Sequence, residues 1–129
     1  MITTFKTFEE IQYNQDGKLI GYHVTQERNL KSIMKKGLIP KVPKDFGDDG
    51  DVKGVYLFKT RDDMDNALWN WMGERIEEWE EDNDKEFKET LLVVDLTGME
   101  FSLIDSVEYE WTCTETISPE RIISVEKLY

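Results

Sequence analysis

Leu19-Ile20-Gly21-Tyr22-His23-Val24 is the stretch on which the fold turns. It is rich in β-formers and predicts a short strand. Thr25 follows where an N-cap belongs, and Glu27 falls in the first turn, where an acid suits the helix dipole. Leu30, Ile33 and Met34 recur at helical spacing, with Leu38 one turn on. The spacing predicts a helix over 25–37 whose apolar stripe faces a core. Gly37 is a natural C′ residue, with Leu38 folding back in a Schellman-type stop, and Pro40 and Pro43 forbid continuation.

A second tyrosine-bearing strand is predicted from Gly54 to Lys59. Thr60 with Asp63 forms a variant capping box ahead of a long helix, from about residue 61 to 82. Met64, Leu68, Met72, Ile76 and Trp79 give it one buried stripe, flanked by Trp69 and Trp71. Residues 74–89 are strongly acidic and suit a solvated face. Thr90 to Leu96 is an apolar strand covered on both sides, and Gly98 turns the chain. Phe101–Ile104 and Val107–Thr114 are further strands separated by a turn at Asp105-Ser106, and Ile122–Leu128 closes the sheet after Pro119. Upstream, Ile2–Phe8 suits a strand and Asn14–Gly17 a turn. The order predicts an α+β fold with a largely antiparallel sheet, in a single domain over 1–129.

The net charge is −12, a field that repels phosphate backbones and anionic membranes. Hydrophobic residues make up 39%, enough for a folded core. Cys113 is the only cysteine, so no internal disulfide forms, and a reducing cytoplasmic setting is expected. No apolar run reaches the length of a membrane span, and no signal-peptide pattern opens the chain.

His23 is the only imidazole, which excludes a two-histidine zinc site. The sequence has no Gly-rich phosphate loop and no nucleophile elbow. Cys113 with His23 is a formal nucleophile pair, but a lone thiol without an activating neighbour is ordinarily inert filling. The loop over 39–53 carries Asp48, Asp49 and Asp51, yet lacks the spacing and terminal glutamate of a calcium loop, so no metal is expected. In Glu108-Tyr109-Glu110, the two carboxylates would share one face of a strand. They read either as the polar face of an edge strand or as carboxylates aimed at a ligand hydroxyl.

Three blocks in order resemble the ADP-ribosyltransferase fold, the family of bacterial toxins, poly(ADP-ribose) polymerases and RNA 2′-phosphotransferases. They are Gly21-Tyr22-His23-Val24-Thr25 with the helix ending Lys36-Gly37-Leu38-Ile39-Pro40; Gly54-Val55-Tyr56-Leu57-Phe58; and Glu110 standing before Ile117-Ser118-Pro119-Glu120-Arg121-Ile122. The likeness is to the His-Tyr-Glu branch. It implies a split, largely antiparallel sheet with two main helices, and NAD as substrate without a metal. By it, His23, Val24 and Thr25 would form the wall holding the NAD ribose, and Tyr56 would stack on the nicotinamide ring. Glu110 would hydrogen-bond the 2′-hydroxyl of that ribose and stabilise an oxocarbenium-like sugar. Glu108 would orient the acceptor, and Glu115 is the competing catalytic carboxylate. The implied activity is transfer of ADP-ribose to a macromolecular acceptor, a protein foremost, in a bacterial or phage effector. RNA phosphate transfer suits the −12 charge poorly, although Arg28, Lys31, Lys35 and Lys36 are a local basic exception. The alternative is an inactive relative that binds a partner through its acidic, tryptophan-bearing helix.

Overall fold

In the computed structural model, which describes residues 17–41 and 53–129, six antiparallel strands form one sheet. They are β1 (Ile20–Gln26), β2 (Val55–Phe58), β3 (Glu89–Asp95), β4 (Leu103–Val107), β5 (Glu110–Cys113) and β6 (Ile122–Lys127). Their order across the sheet is β4-β5-β2-β1-β3-β6. Three α-helices accompany them: α1 (Leu30–Lys36), α2 (Arg61–Trp69) and α3 (Trp71–Asn83). The α+β class read from the sequence is what the chain adopts.

The sheet divides in the middle. β1 pairs with β3 along its whole length, from Ile20↔Asp95 to Gln26↔Glu89, whereas β1 meets β2 in register only at Tyr22↔Phe58. Among the described residues that pair is the one link in register between β4-β5-β2 and β1-β3-β6, so the β1–β2 ladder is the shortest in the sheet. Apolar clusters lie on both sides. One gathers Leu57, Leu92, Val94, Leu96 and Ile117 with Ile33 and Leu38 from α1 and its end. The other sets Phe58 and Leu91 against Met64, Ala67, Met72 and Ile76 of α2 and α3. Each fully buried aliphatic side chain contributes about 1.5–3 kcal/mol of transfer free energy, so these clusters dominate stability.

Several boundaries differ from the sequence reading. β1 runs on through Thr25 and Gln26, because β3 offers them ladder partners in Thr90 and Glu89. Thr25 is therefore a buried strand residue and not an N-cap. A 3₁₀ turn, Glu27–Asn29, intervenes before α1, so the helix is shorter than expected. Met34 is 48% exposed, off the buried stripe. Gly37 does end α1, at φ +86, and its N–H bonds the Ile33 carbonyl at 2.7 Å. Leu38 does not fold back, however; its N–H bonds Ile117 O at 2.8 Å and its carbonyl receives the Ile117 N–H at 2.9 Å. A side chain at Gly37 would bring Cβ to 2.3 Å from the Ile117 carbonyl oxygen, so that bridge needs glycine on both steric and dihedral grounds.

The predicted long helix breaks at Asn70 (φ −125, ψ −112), so that α2 and α3 stand where one helix was expected. Asn70 Nδ2 donates to the Asn66 carbonyl at 2.7 Å and occupies an acceptor left open at the end of α2. Gly73 passes so close to the Leu68 carbonyl that a Cβ would lie 2.2 Å from it. The stripe survives the break, since Met64, Met72 and Ile76 are buried and Leu68 and Trp79 half-buried. Thr60 caps α2 as its spacing predicts, accepting the Asp63 N–H at 3.0 Å.

The turn placed at Asp105-Ser106 is wrong. Those residues belong to β4, at a bulge between Ile104 and Val107, and the chain reverses at Glu108-Tyr109 between the paired Val107 and Glu110. The bulge accommodates the turn-forming pair without ending the strand. Phe101 lies in a 3₁₀ turn, Glu100–Ser102, and is fully exposed rather than in a strand.

Candidate functional site

His23 follows Tyr22, the β1 residue that pairs with Phe58 of β2. Its Nδ1 lies 2.8 Å from the main-chain carbonyl oxygen of Tyr56. A carbonyl only accepts, so Nδ1 carries the hydrogen. Desolvation by burial lowers the His23 pKa, the Tyr56 hydrogen bond opposes that, and the nearby Lys41 charge lowers it further. The ring is thus held neutral with Nδ1 as donor and Nε2 as a lone-pair acceptor. No described residue engages Nε2. In that tautomer Nε2 can accept a hydrogen bond.

The three residues carried by the resemblance fall on three neighbouring strands, β5, β2 and β1. Phe58 pairs with Glu110 and Tyr56 with Thr112, so Tyr56 and Glu110 point to the same side as diagonal neighbours, with Cβ atoms about 7 Å apart by strand geometry. Strand alternation sends His23 to the other side, with Leu92 opposite it. The structure therefore does not put three side chains on one sheet face. What joins His23 to β2 is its ring turning into the interstrand gap to reach the Tyr56 main chain.

Among the other candidates, Val24 packs into the cluster under α2 and α3, so only its backbone is left to meet a ligand. Thr25 lies on the His23 side of β1, and its Oγ1 accepts from Asn29 Nδ2 at 3.2 Å, bracing the chain toward α1. Glu108 is displaced from the strand face it was expected to share with Glu110: it is exposed in the hairpin turn. Glu115 is exposed beyond the end of β5, whereas Glu110 is half-buried at its start. Cys113 is buried, burial raises its pKa, and its Sγ lies 3.4 Å from the Glu115 carbonyl oxygen, which suits filling and not a nucleophile. Asp48, Asp49 and Asp51 lie outside the described residues. No group of His, Cys, Asp and Glu among the described residues is arranged to hold a metal.

The sequence reading missed the residues that fix the hairpin carrying Glu110. The Lys59 N–H bonds the Tyr109 carbonyl at 3.0 Å. The Lys59 ammonium, on a side chain only 4% exposed, pairs with Asp105 and lies 5.7 Å from the Trp111 ring centroid. The Tyr109 ring packs with Phe58 and Trp71 at centroid distances of 6.4 and 6.3 Å. A lysine closing an apolar strand, in Val55-Tyr56-Leu57-Phe58-Lys59, was the available signal, but burial of its head depends on β4 and β5.

Comparison with protein-family models and with curated proteins finds no match for this chain. No helix among the described residues is long and apolar enough to cross a membrane.

Proposed function

We propose that this chain is a small ADP-ribosyltransferase-like protein that takes NAD as substrate and transfers ADP-ribose to a macromolecular acceptor. The observation that carries the reading is the neutral His23, its Nδ1–H spent on the Tyr56 carbonyl and its Nε2 left as an acceptor where the sheet splits. That nitrogen suits a ribose hydroxyl.

In this reading the glycosidic C–N bond breaks and nicotinamide leaves with the electron pair. Positive charge gathers on the ribose, the Glu110 carboxylate stabilises it, and an acceptor nucleophile forms the new bond at the vacated carbon. Tyr56, beside Glu110, supplies an aromatic face for the nicotinamide ring. The test is nicotinamide release with mass spectrometry of lysate incubated with NAD. Glu110→Gln, which keeps shape and removes charge, is expected to slow release by about 10²–10³-fold with the fold intact. Absence of added ADP-ribose on any protein, nucleic acid or small molecule would overturn the proposal.

One observation favours a second reading, an inactive relative acting as a binding module. Trp69 is 87% exposed at the α2–α3 break, beside the acidic α3. A biological effect unchanged by Glu110→Gln and abolished by Trp69→Ala would select it.

A further inference from the structure

We infer that the face around Trp69 is a docking surface for a lysine- and arginine-rich segment of a partner protein; this rests on the tryptophan-bearing surface of the second reading above and needs no NAD chemistry. Trp69 is 87% exposed at the end of α2, so its ring is open to a partner. Tryptophan is enriched among the side chains that anchor protein interfaces. The surface extends beyond this one ring. Trp71, just past the break, has its ring 6.3 Å from that of Tyr109, which is itself exposed in the hairpin turn ahead of Glu110. A partner seated on the α2–α3 break therefore abuts the hairpin that carries Glu110.

Charge sets the chemistry of the occupant. From Asp62 to Glu74 the chain holds the carboxylates of Asp62, Asp63, Asp65 and Glu74 and no lysine or arginine. Asp62 and Asp65 precede Trp69 by seven and four residues, so the three share one face of α2. Glu74 is exposed in the first turn of α3, and Glu108 is exposed in the hairpin turn. Positive charge is segregated from this face. Lys31, Lys35 and Lys36 ride on α1, whose Ile33 packs into the cluster across the sheet from the one that α2 and α3 cover. An indole face attracts a guanidinium or ammonium, and Trp71 already holds the Arg75 guanidinium 6.0 Å from its ring centroid. A partner cation over Trp69, with neighbouring cations on the rim carboxylates, matches this surface, whereas a phosphate backbone is repelled by it.

The experiment titrates a fluorescein-labelled peptide of Arg-Gly and Lys-Gly repeats, at low salt, with wild type, Trp69→Ala, Trp69→Phe and two charge variants. One variant combines Asp65→Asn with Glu74→Gln beside Trp69. The other combines Glu81→Gln with Asp82→Asn and removes the same charge near the far end of α3. Trp69→Ala is expected to weaken binding about tenfold, the scale of an interface anchor, and Trp69→Phe should recover part of it. The variant beside Trp69 should weaken binding more than the distant one, and that difference should shrink as salt rises. Absence of saturable binding by wild type would overturn the inference. Equal weakening by both charge variants with Trp69→Ala unchanged would also overturn it, since that marks general attraction to a −12 chain. Tighter binding of poly(A) RNA than of the peptide would make nucleic acid the occupant, and a wild-type dimer in sedimentation that Trp69→Ala dissolves would make it a second copy; either overturns the inference. Nicotinamide release and the effect of Glu110→Gln are measured separately, so failure here is distinct from failure of either reading above.

Discussion

Replacing His23 by Phe removes a side-chain donor to the Tyr56 carbonyl while keeping an aromatic ring in its place. The magnitude follows from what is orphaned. A 2.8 Å hydrogen bond is lost, and the Tyr56 carbonyl oxygen loses the imidazole donor. An unsatisfied buried acceptor costs about 1–3 kcal/mol, and the bond is only part-buried, so water reaching the gap places the expected loss near the low end, about 1 kcal/mol. Urea denaturation at pH 7.5 measures it, as a lower midpoint at unchanged slope. The same experiment at lower pH tests the tautomer. The folded pKa lies below the ordinary histidine value of 6.5 because burial disfavours the charged ring. As pH falls through 6.5 the unfolded chain takes up a proton before the folded one does, so the wild type loses stability there. His23→Phe lacks that slope, and the gap between the two proteins should narrow toward acid. A stability difference below about 0.3 kcal/mol at pH 7.5, or one that widens as pH falls, would refute the assignment of a neutral Nδ1–H ring.

Other consequences concern the hairpin and the exposed tryptophan. Asp105→Ala strips the partner from a lysine whose side chain is 4% exposed; because Asp105 itself is 54% exposed, the cost should be about 1–3 kcal/mol, below that of a fully buried pair. Lys59→Met, which removes the charge, should cost less than Asp105→Ala in the same denaturation assay, and the reverse order would count against the cost of leaving a buried ammonium unpaired. On the proposed NAD reading, Asp105→Ala should also slow nicotinamide release, since the pair ties down the hairpin leading into Glu110, and Asp105→Glu should recover part of it. Trp69→Ala should change stability by no more than about 0.5 kcal/mol, because its side chain is largely in water. A larger loss by thermal melting would mean that Trp69 packs in solution.

The sequence by itself determined the local elements whose signals are short-ranged. The Thr60 cap, the Gly37 stop, the apolar β3 and the buried stripe through Met64, Met72 and Ile76 are written in neighbouring residues, and the chain obeys them. Alternation and turn rules then erred wherever a distant strand outbid a local preference. Thr25 has the chemistry of a cap, but Thr90 holds it in a ladder; Asp105-Ser106 has the chemistry of a turn, but pairing with β5 keeps it in a bulged strand. Only the tertiary structure decided that His23 meets the Tyr56 main chain, that Tyr56 and Glu110 share a side while Glu108 leaves it, and that Lys59 is buried. Those facts depend on strand order and register, which are set by which long-range ladders close together and not by any residue's own propensity.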